Sequence, residues 1–366
     1  MKIGIDCRMW NETGIGRFTR NIVEGLVESS PESEFVLFVL KRDYDQVLAA
    51  PNVKKVIVDI RWYTFKEQLV LPMYLYREGL DVFLSTNLNV PVLYFKPTVV
   101  TLHDLTILKV KTGRASTHFY LFYLLKRLGA RIAILFSIFF AKRILTVSNF
   151  VKKELVSDYK INSNKIEVIY NAVSESFFPQ EESKIDKVLE KYDIKKPYLF
   201  YVGNAHPHKN ICALIEGYLI AKKNYPDLSL VLAGKKDFFY ERLESNYSEE
   251  GIKYTGFVED TDLPSLYSGS EAFITASTHE GFGLQLLEAF ACGTKVICSN
   301  TTSLPEVGQD IPFYVDPYNS NDVARGIEGA LSANGRDLRL RGFERVKNFS
   351  WKISAEKVLK VLNEVA

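Results

Sequence analysis

Two glutamates, Glu280 and Glu288, bracket the Gly-Phe-Gly turn of "THEGFGLQLLEAFACGTKVICSN" (278–300), one in a glycine loop and one inside the helix that follows. With the helix starting near Gly283 and rising 1.5 Å per residue, the carboxylates stand on the order of 10 Å apart. That exceeds the roughly 5–5.5 Å of a retaining glycosidase pair and reaches the upper end of the inverting range. The two acids are therefore not expected to act on one bond. They suit an extended ligand, with unpaired helix N-terminal amides between them for an anion. A nucleotide diphosphate-sugar has that layout: a sugar for one glutamate, a diphosphate for the amides, a ribose diol for the other. Read without a ligand, the same stretch is a glycine turn entering an amphipathic helix with two solvated acids.

Three more stretches carry suitable groups. In "YVGNAHPHKNICALIEGY", from Tyr201, a strand ends at Gly203 and a loop with Asn204, His208 and Lys209 leads to a helix for which Asn210 is the expected N-cap. A lysine at the mouth of such a βα unit is placed to neutralise a diphosphate leaving group; otherwise it is a surface lysine beside a cap. In "WNETGIGRFTRNIVEGL" the pattern approaches G-x-G-x-x-G, but Thr19 stands where the third glycine belongs and no acid follows at the dinucleotide spacing. Gly14 and Gly16 still allow close backbone approach to a ligand, and Arg17 adds a fixed positive charge; turn chemistry alone also accounts for them. In "TVVTLHDLTIL", His103 and Asp104 follow a buried strand, where an imidazole can bond a hydroxyl, shuttle a proton or stabilise developing charge.

The elements that must position these groups are legible as short β-like runs between helical patterns, from "KIGIDC" and "EFVLFVL" to "TKVICS" and "PFYVDP". Such alternation implies parallel sheets with helices on both faces, and open α/β sheets bind ligands beyond the carboxyl ends of their strands. The apolar rhythm breaks over 172–197, so two doubly wound domains are expected. The chain's 366 residues suffice for two cores. Lys+Arg at 46 against Asp+Glu at 44 leaves +2, which argues against a nucleic-acid partner. Cys7, Cys212, Cys292 and Cys298 lack metal-ligand spacing and read as reduced, buried, cytosolic cysteines. The N-terminus shows no secretory pattern.

"THFYLFYLLKRLGARIAILFSIFFAKRI" (117–144) has apolar runs of about ten residues, short of the roughly 20 that span a bilayer. Aromatics and leucines interleaved with Lys126, Arg127, Arg131, Lys142 and Arg143, preceded by Lys109, Lys111 and Arg114, suit a surface touching an anionic membrane. The alternative is two core helices with basic exposed edges.

Together these motifs resemble the retaining glycosyltransferases of family 4. The resemblance runs over nearly the whole chain: "MKIGID...GIGR", the strand-end "HD", "IYNAVS", "YVGN...PHKN", "YTGFVED", "EGFGLQLLE", "SLPEV...VDP" and the closing "SWKISAEKVLKVLNEVA". It implies the α/β GT-B architecture, two doubly wound Rossmann-like domains facing a central cleft. Residues 1–175 would form the acceptor-binding domain, 176–348 the nucleotide-sugar-binding domain, and 349–366 a helix crossing back to the first. By the same resemblance Glu280, Gly281 and the amides of Phe282, Gly283 and Leu284 would hold the donor sugar and phosphates. Glu288 would bind the ribose, while His208, Lys209 and Asn210 would serve the diphosphate beside Gly203 and Asn204. Backbone at Gly256, Phe257 and Val258 would receive the base. Gly14, Gly16 and Arg17 would approach from the other domain, with His103 and Asp104 as catalytic helpers.

No cofactor or metal is implied; the nucleotide sugar is a substrate. The resemblance is to bacterial surface-polysaccharide mannosyltransferases, which implies GDP-mannose as first donor, then a UDP-hexose or dTDP-rhamnose. A glycan or polyprenyl-linked acceptor and a peripheral place at the cytoplasmic face of the inner membrane, through 114–143, are also implied. A nucleotide-sugar 2-epimerase and a non-catalytic membrane-peripheral subunit are the competing readings. Two departures stand out: His208 occupies the position where the family usually has an arginine, and in "SLPEVGQDIPFYVDP" the residues after Gly308 are not the small ones usual after "PEV".

Overall fold

A computed structural model describes residues 1–88, 90–106 and 120–366. Contacts divide the chain into two compact units, Met1–Asn171 with Ser350–Ala366, and Ala172–Phe349.

The first unit is built on a seven-stranded, fully parallel sheet: β1 (Lys2–Asp6), β2 (Glu34–Val39), β3 (Val53–Ile57), β4 (Val82–Ser85), β5 (Thr98–Leu102), β6 (Arg143–Thr146) and β7 (Ile166–Val168), in the order 3-2-1-4-5-6-7. The second unit has a six-stranded parallel sheet: β8 (Tyr198–Val202), β9 (Ser229–Ala233), β10 (Ile252–Gly256), β11 (Ala272–Thr275), β12 (Val296–Ser299) and β13 (Phe313–Val315), in the order 10-9-8-11-12-13. These are the two Rossmann-like sheets of the GT-B fold. Central strands such as β5 (TVVTL) and β8 (YLFYV) are buried almost throughout because helices cover both faces, which removes the alternation of a half-exposed strand.

Each order reverses once, between β1 and β4 in the first sheet and between β8 and β11 in the second. Crossovers leave in opposite directions there, and the strand ends open a crevice. In the first unit that point is closed by a buried charge cluster just after β1. Arg8 reaches Asp6 at 2.6 Å and Glu67 at 2.6 Å, with all three side chains no more than 1% exposed. Arg8 Nη1 also donates to the Ile60 carbonyl, and the Tyr63 amide donates to Glu67. Burial works against the charge on Arg8, but the two carboxylates more than offset it and hold its pKa above the ordinary value.

The helix Trp351–Val365 returns to the first unit, where it packs against the helix Thr13–Ser29 and Ser354 donates to the Tyr170 carbonyl at 2.6 Å. Trp351 meets Phe18 edge-on, and Phe18 in turn meets His103. Tyr120–Phe140 is one continuous helix. Among the described residues no helix is long and apolar enough to cross a membrane. Lys109, Lys111 and Arg114 lie outside the described residues, as do the side chains of Lys126 and Arg127.

Two local expectations are corrected. Asn210 does not cap the helix Ile211–Ala221: it sits in the left-handed region with φ 53° and forms no side-chain cap bond. It ends the turn Pro207–Lys209, and its side-chain amide donates instead to Pro317 O at 2.6 Å. Cys212 is exposed, while the other three cysteines are buried. Its helix buries Ile211, Leu214, Ile215 and Tyr218, and position 212 falls off that face.

Replacing Arg8 by methionine leaves two buried carboxylates without their counter-charge. Urea unfolding should show the first unit losing about 3–5 kcal/mol; an unchanged midpoint would mean that Arg8 does not hold the cluster together.

Candidate active site

The second unit's switch point gathers most of the residues singled out above. β8 ends at Val202 and β11 at Thr275, neighbours in the sheet, and the loops that follow them carry Lys209 and Glu280. Lys209 Nζ donates to Glu280 Oε1 at 2.6 Å, with the side chains only 12% and 14% exposed. At that depth a charge-assisted bond is much stronger than on an open surface. The two loops are fastened by backbone as well: the His208 carbonyl accepts from the Thr278 amide at 2.8 Å and from its hydroxyl at 3.2 Å. His208 thus serves the site first through its main chain.

Glu280 is held from behind by Ser303, whose hydroxyl donates to the Glu280 carbonyl at 2.9 Å. Gly281, Phe282 and Gly283 are buried, and the helix Leu284–Ala291 starts directly after them. Gly283 has φ 97°, and a Cβ there would come within 2.5 Å of Leu304. Only glycine fits that turn, which carries the chain from the Glu280 loop directly into the helix N-terminus. Phe282 packs edge-on against Phe349 and fixes the turn from its other side.

Glu288 is one turn inside this helix and 3% exposed. Its Oε2 accepts from the Tyr267 hydroxyl at 2.8 Å. The pair of glutamates is therefore divided in role: Glu280 bonds a lysine at the strand ends, and Glu288 a phenol within the unit. Burial, and then the Glu288 charge, push the nearby Cys292 thiol up to about 12, so it stays neutral.

The ends of β8, β9 and β10 form a continuous shelf. The Gly203 amide donates to Ala233 O and the Gly234 amide to Gly256 O, at 3.0 and 2.9 Å. Tyr201 donates to the Asn204 carbonyl and Tyr240 to the Gly203 carbonyl, so two buried phenols hold this loop. Beyond Gly256, Phe257 is 63% exposed while Val258 is buried.

In the first unit, His103 and Asp104 follow β5, next to the switch point between β1 and β4. His103 Nε2 lies 2.9 Å from the Thr86 carbonyl, so Nε2 carries the proton and Nδ1 the lone pair of a neutral ring. Burial holds its pKa below the ordinary 6.5. Asp104 accepts from the Thr106 amide at 2.7 Å. Gly14 is exposed, with open space where a Cβ would stand, whereas a Cβ on Gly16 would come within 2.4 Å of the Trp10 carbonyl. Gly16 therefore permits a close backbone packing inside this unit, and Arg17 sits half-buried beside it.

Sequence reasoning missed the supports: Ser303, Thr278, Tyr201, Tyr240 and Tyr267, and the cluster of Asp6, Arg8 and Glu67. Hydroxyls that bond a distant carbonyl leave no local pattern. The cluster did leave one, since "GIDCR" puts two charges at the end of a strand that is otherwise apolar.

Residues 13–177 match the family described as "Glycosyltransferase Family 4", and residues 182–347 match "Glycosyl transferases group 1". The chain is 35% identical over 222 residues to O-antigen chain mannosyltransferase B of Escherichia coli, a match covering 58% of each protein. It is 24% identical over 330 residues to O-antigen chain mannosyltransferase RfbU of Salmonella typhimurium, covering 86% of each. HepE of Anabaena, solved in complex with UDP and glucose, superposes over 100% of both chains with a TM-score of 0.77 at 16% identity, a likeness of fold. With both halves matched in order, the chain belongs to the retaining glycosyltransferases of family 4.

Proposed function

We propose that this protein transfers a hexose from a nucleotide sugar to a glycan acceptor, polyprenyl-linked, in bacterial surface-polysaccharide synthesis. Mannose from GDP-mannose is the first donor choice, because similar proteins are named as O-antigen mannosyltransferases. The observation that carries the reading is the Lys209–Glu280 ion pair at the second unit's switch point, beside a helix N-terminus.

In this reading the diphosphate lies against Lys209 and the amides of Phe282 to Leu284, and Glu280 accepts from sugar hydroxyls. Glu288 serves the ribose and the shelf from Gly203 to Val258 the base. The acceptor hydroxyl oxygen bonds to the anomeric carbon as the bond from that carbon to the phosphate oxygen breaks. The hydroxyl proton passes to the leaving phosphate on the same face, which retains configuration. Lys209 and the helix amides stabilise the charge developing on that phosphate, which lowers the barrier where it counts. Neutral His103, with its Nδ1 lone pair, is suited to accept a bond from a substrate hydroxyl, with Asp104 shaping its loop. The enzyme works at the cytoplasmic face of the inner membrane, with 114–143 as a contact surface, a role supported by exposed Arg131, Ile132, Phe139 and Phe140.

Calorimetry with GDP and UDP tests the site. Lys209→Ala should weaken binding of the preferred diphosphate roughly tenfold to a hundredfold, the cost of a charge-assisted bond. Glu280→Gln should abolish transfer while leaving that binding intact or tighter. Equal loss of binding in both variants would overturn the assignment of roles.

His103 gives a pH prediction. Its folded pKa is depressed, so the unfolded chain takes up the proton first as pH falls. Its contribution to stability is thus present above 6.5 and lost as pH drops below it. Nitrogen NMR of the ring should show the Nε2–H tautomer unchanged through pH 6.5; a midpoint there or higher would contradict the half-buried neutral ring.

A further inference from the structure

The helix Phe65–Glu78 connects β3 to β4 and buries Leu71 and Leu75 against Phe83 of β4. Its other side is unusual for a surface helix. Phe65, Leu69, Met73 and Tyr76 are between 44% and 72% exposed. At 100° per residue they fall within an arc of about 80°. Leu93 and Phe95, 46% and 74% exposed, continue this stripe. The Tyr76 hydroxyl donates to the Leu93 carbonyl and accepts from the Phe95 amide, which fixes that loop beside the helix.

The same loop is stitched to a second helix. The Val92 amide donates to Gln68 of Phe65–Glu78, while the Val90 amide donates to the Ser137 hydroxyl of Tyr120–Phe140. Both helices cover one side of the sheet. Phe83 and Ser85 share a face of β4, and their register partners Thr98 and Val100 put Val100 and Leu102 on that same face. Leu71 and Leu75 pack with Phe83, and Ile134 and Ile138 pack with Val100 and Leu102. The apolar stripe and the exposed Ile132, Phe139 and Phe140 therefore belong to one helical layer, joined through the loop that carries Leu93 and Phe95.

Exposed charge on the helix Phe65–Glu78 and over Leu93–Lys96 has one sign. Of the two acids in Phe65–Glu78, Glu67 is fully buried against Arg8, and Glu78, 9% exposed, is paired with Lys54. The exposed ionic residues of that helix are Lys66 and Arg77, and Lys96 follows Phe95.

We propose that the face formed by Phe65, Leu69, Met73, Tyr76, Leu93 and Phe95 is a docking surface for an anionic lipid bilayer, with Lys66, Arg77 and Lys96 meeting the headgroups. A contiguous apolar stripe rimmed by cations and cleared of acids is complementary to that partner: the side chains enter the headgroup boundary and the cations stay at its level. The reading concerns a segment distinct from 114–143 and stands without it.

The test is co-sedimentation of the full chain with phosphatidylglycerol/phosphatidylethanolamine vesicles and with phosphatidylcholine vesicles. The wild type should partition onto the anionic vesicles, and Leu69→Glu with Met73→Glu should lower partitioning at least roughly tenfold without changing the melting temperature. Loss in Arg131→Ser with Lys142→Ser but not in the glutamate variant would overturn the proposal and leave the 114–143 reading standing; the reverse would sustain it alone. No binding of the wild type to anionic vesicles would overturn it. So would sedimentation velocity showing a dimer that the glutamate variant dissociates, since the occupant would then be a second copy. If that variant fails to fold, an environment-sensitive dye on Met73→Cys, in a Cys212→Ser background, gives the second readout. A blue shift on adding anionic vesicles is expected, and an unchanged spectrum would overturn the proposal.

Discussion

A parallel sheet wound in both directions can part its crossovers at one place only, and both units of this protein are organised around that constraint. Right-handed connections send the helices from β1 and β4 to opposite faces, and likewise those from β8 and β11. Between the diverging pairs the strand ends are left uncovered, with carbonyls and loops converging in a space of low dielectric. Whatever charge is placed there is expensive to hold and strong in its effects.

The units answer the constraint differently. In the first, Asp6, Arg8 and Glu67 form a sealed cluster with no more than 1% exposure, tied to the Ile60 carbonyl and the Tyr63 amide. Its partners are all internal, so its effect is to hold the end of β1 to the loop before Phe65. In the second, Lys209 and Glu280 keep 12% and 14% exposure and stand beside a helix N-terminus. A sealed cluster suits positioning, because removing one member strands the others. A pair left at the edge of solvent can change partners.

Eleven of the thirteen strands among the described residues were legible as apolar runs between helical patterns, because burial on both faces writes itself into composition. The two that were not, β7 (IEV) and β10 (IKYTG), are edge strands with mixed or intermediate burial. With one neighbour each, they need little apolar sequence. The candidate site was legible where geometry is local: a glycine turn before Glu280, and a lysine in the loop after β8. It was not legible where long-range bonds decide. Nothing near Glu288 in sequence announces that Tyr267 would hold it, and Asn210 looks like a cap until the turn before it sets its φ to 53°.

His208 shows how the pair and its surroundings depend on each other. Where relatives are expected to carry an arginine, this chain has an imidazole whose carbonyl clamps Thr278 and whose ring stacks 6.0 Å from His206. The side-chain positive charge at the site then comes from Lys209, and Glu280 compensates it at 2.6 Å. On the proposed function, an arriving diphosphate would share or take that lysine. The cost of freeing Glu280 is recovered only if the ligand also offers it hydroxyl donors, which a nucleoside diphosphate without its sugar does not do from that end. On the proposed function the ion pair would couple diphosphate recognition to the presence of a sugar, so the complete donor would gain more from this site than either part of it separately.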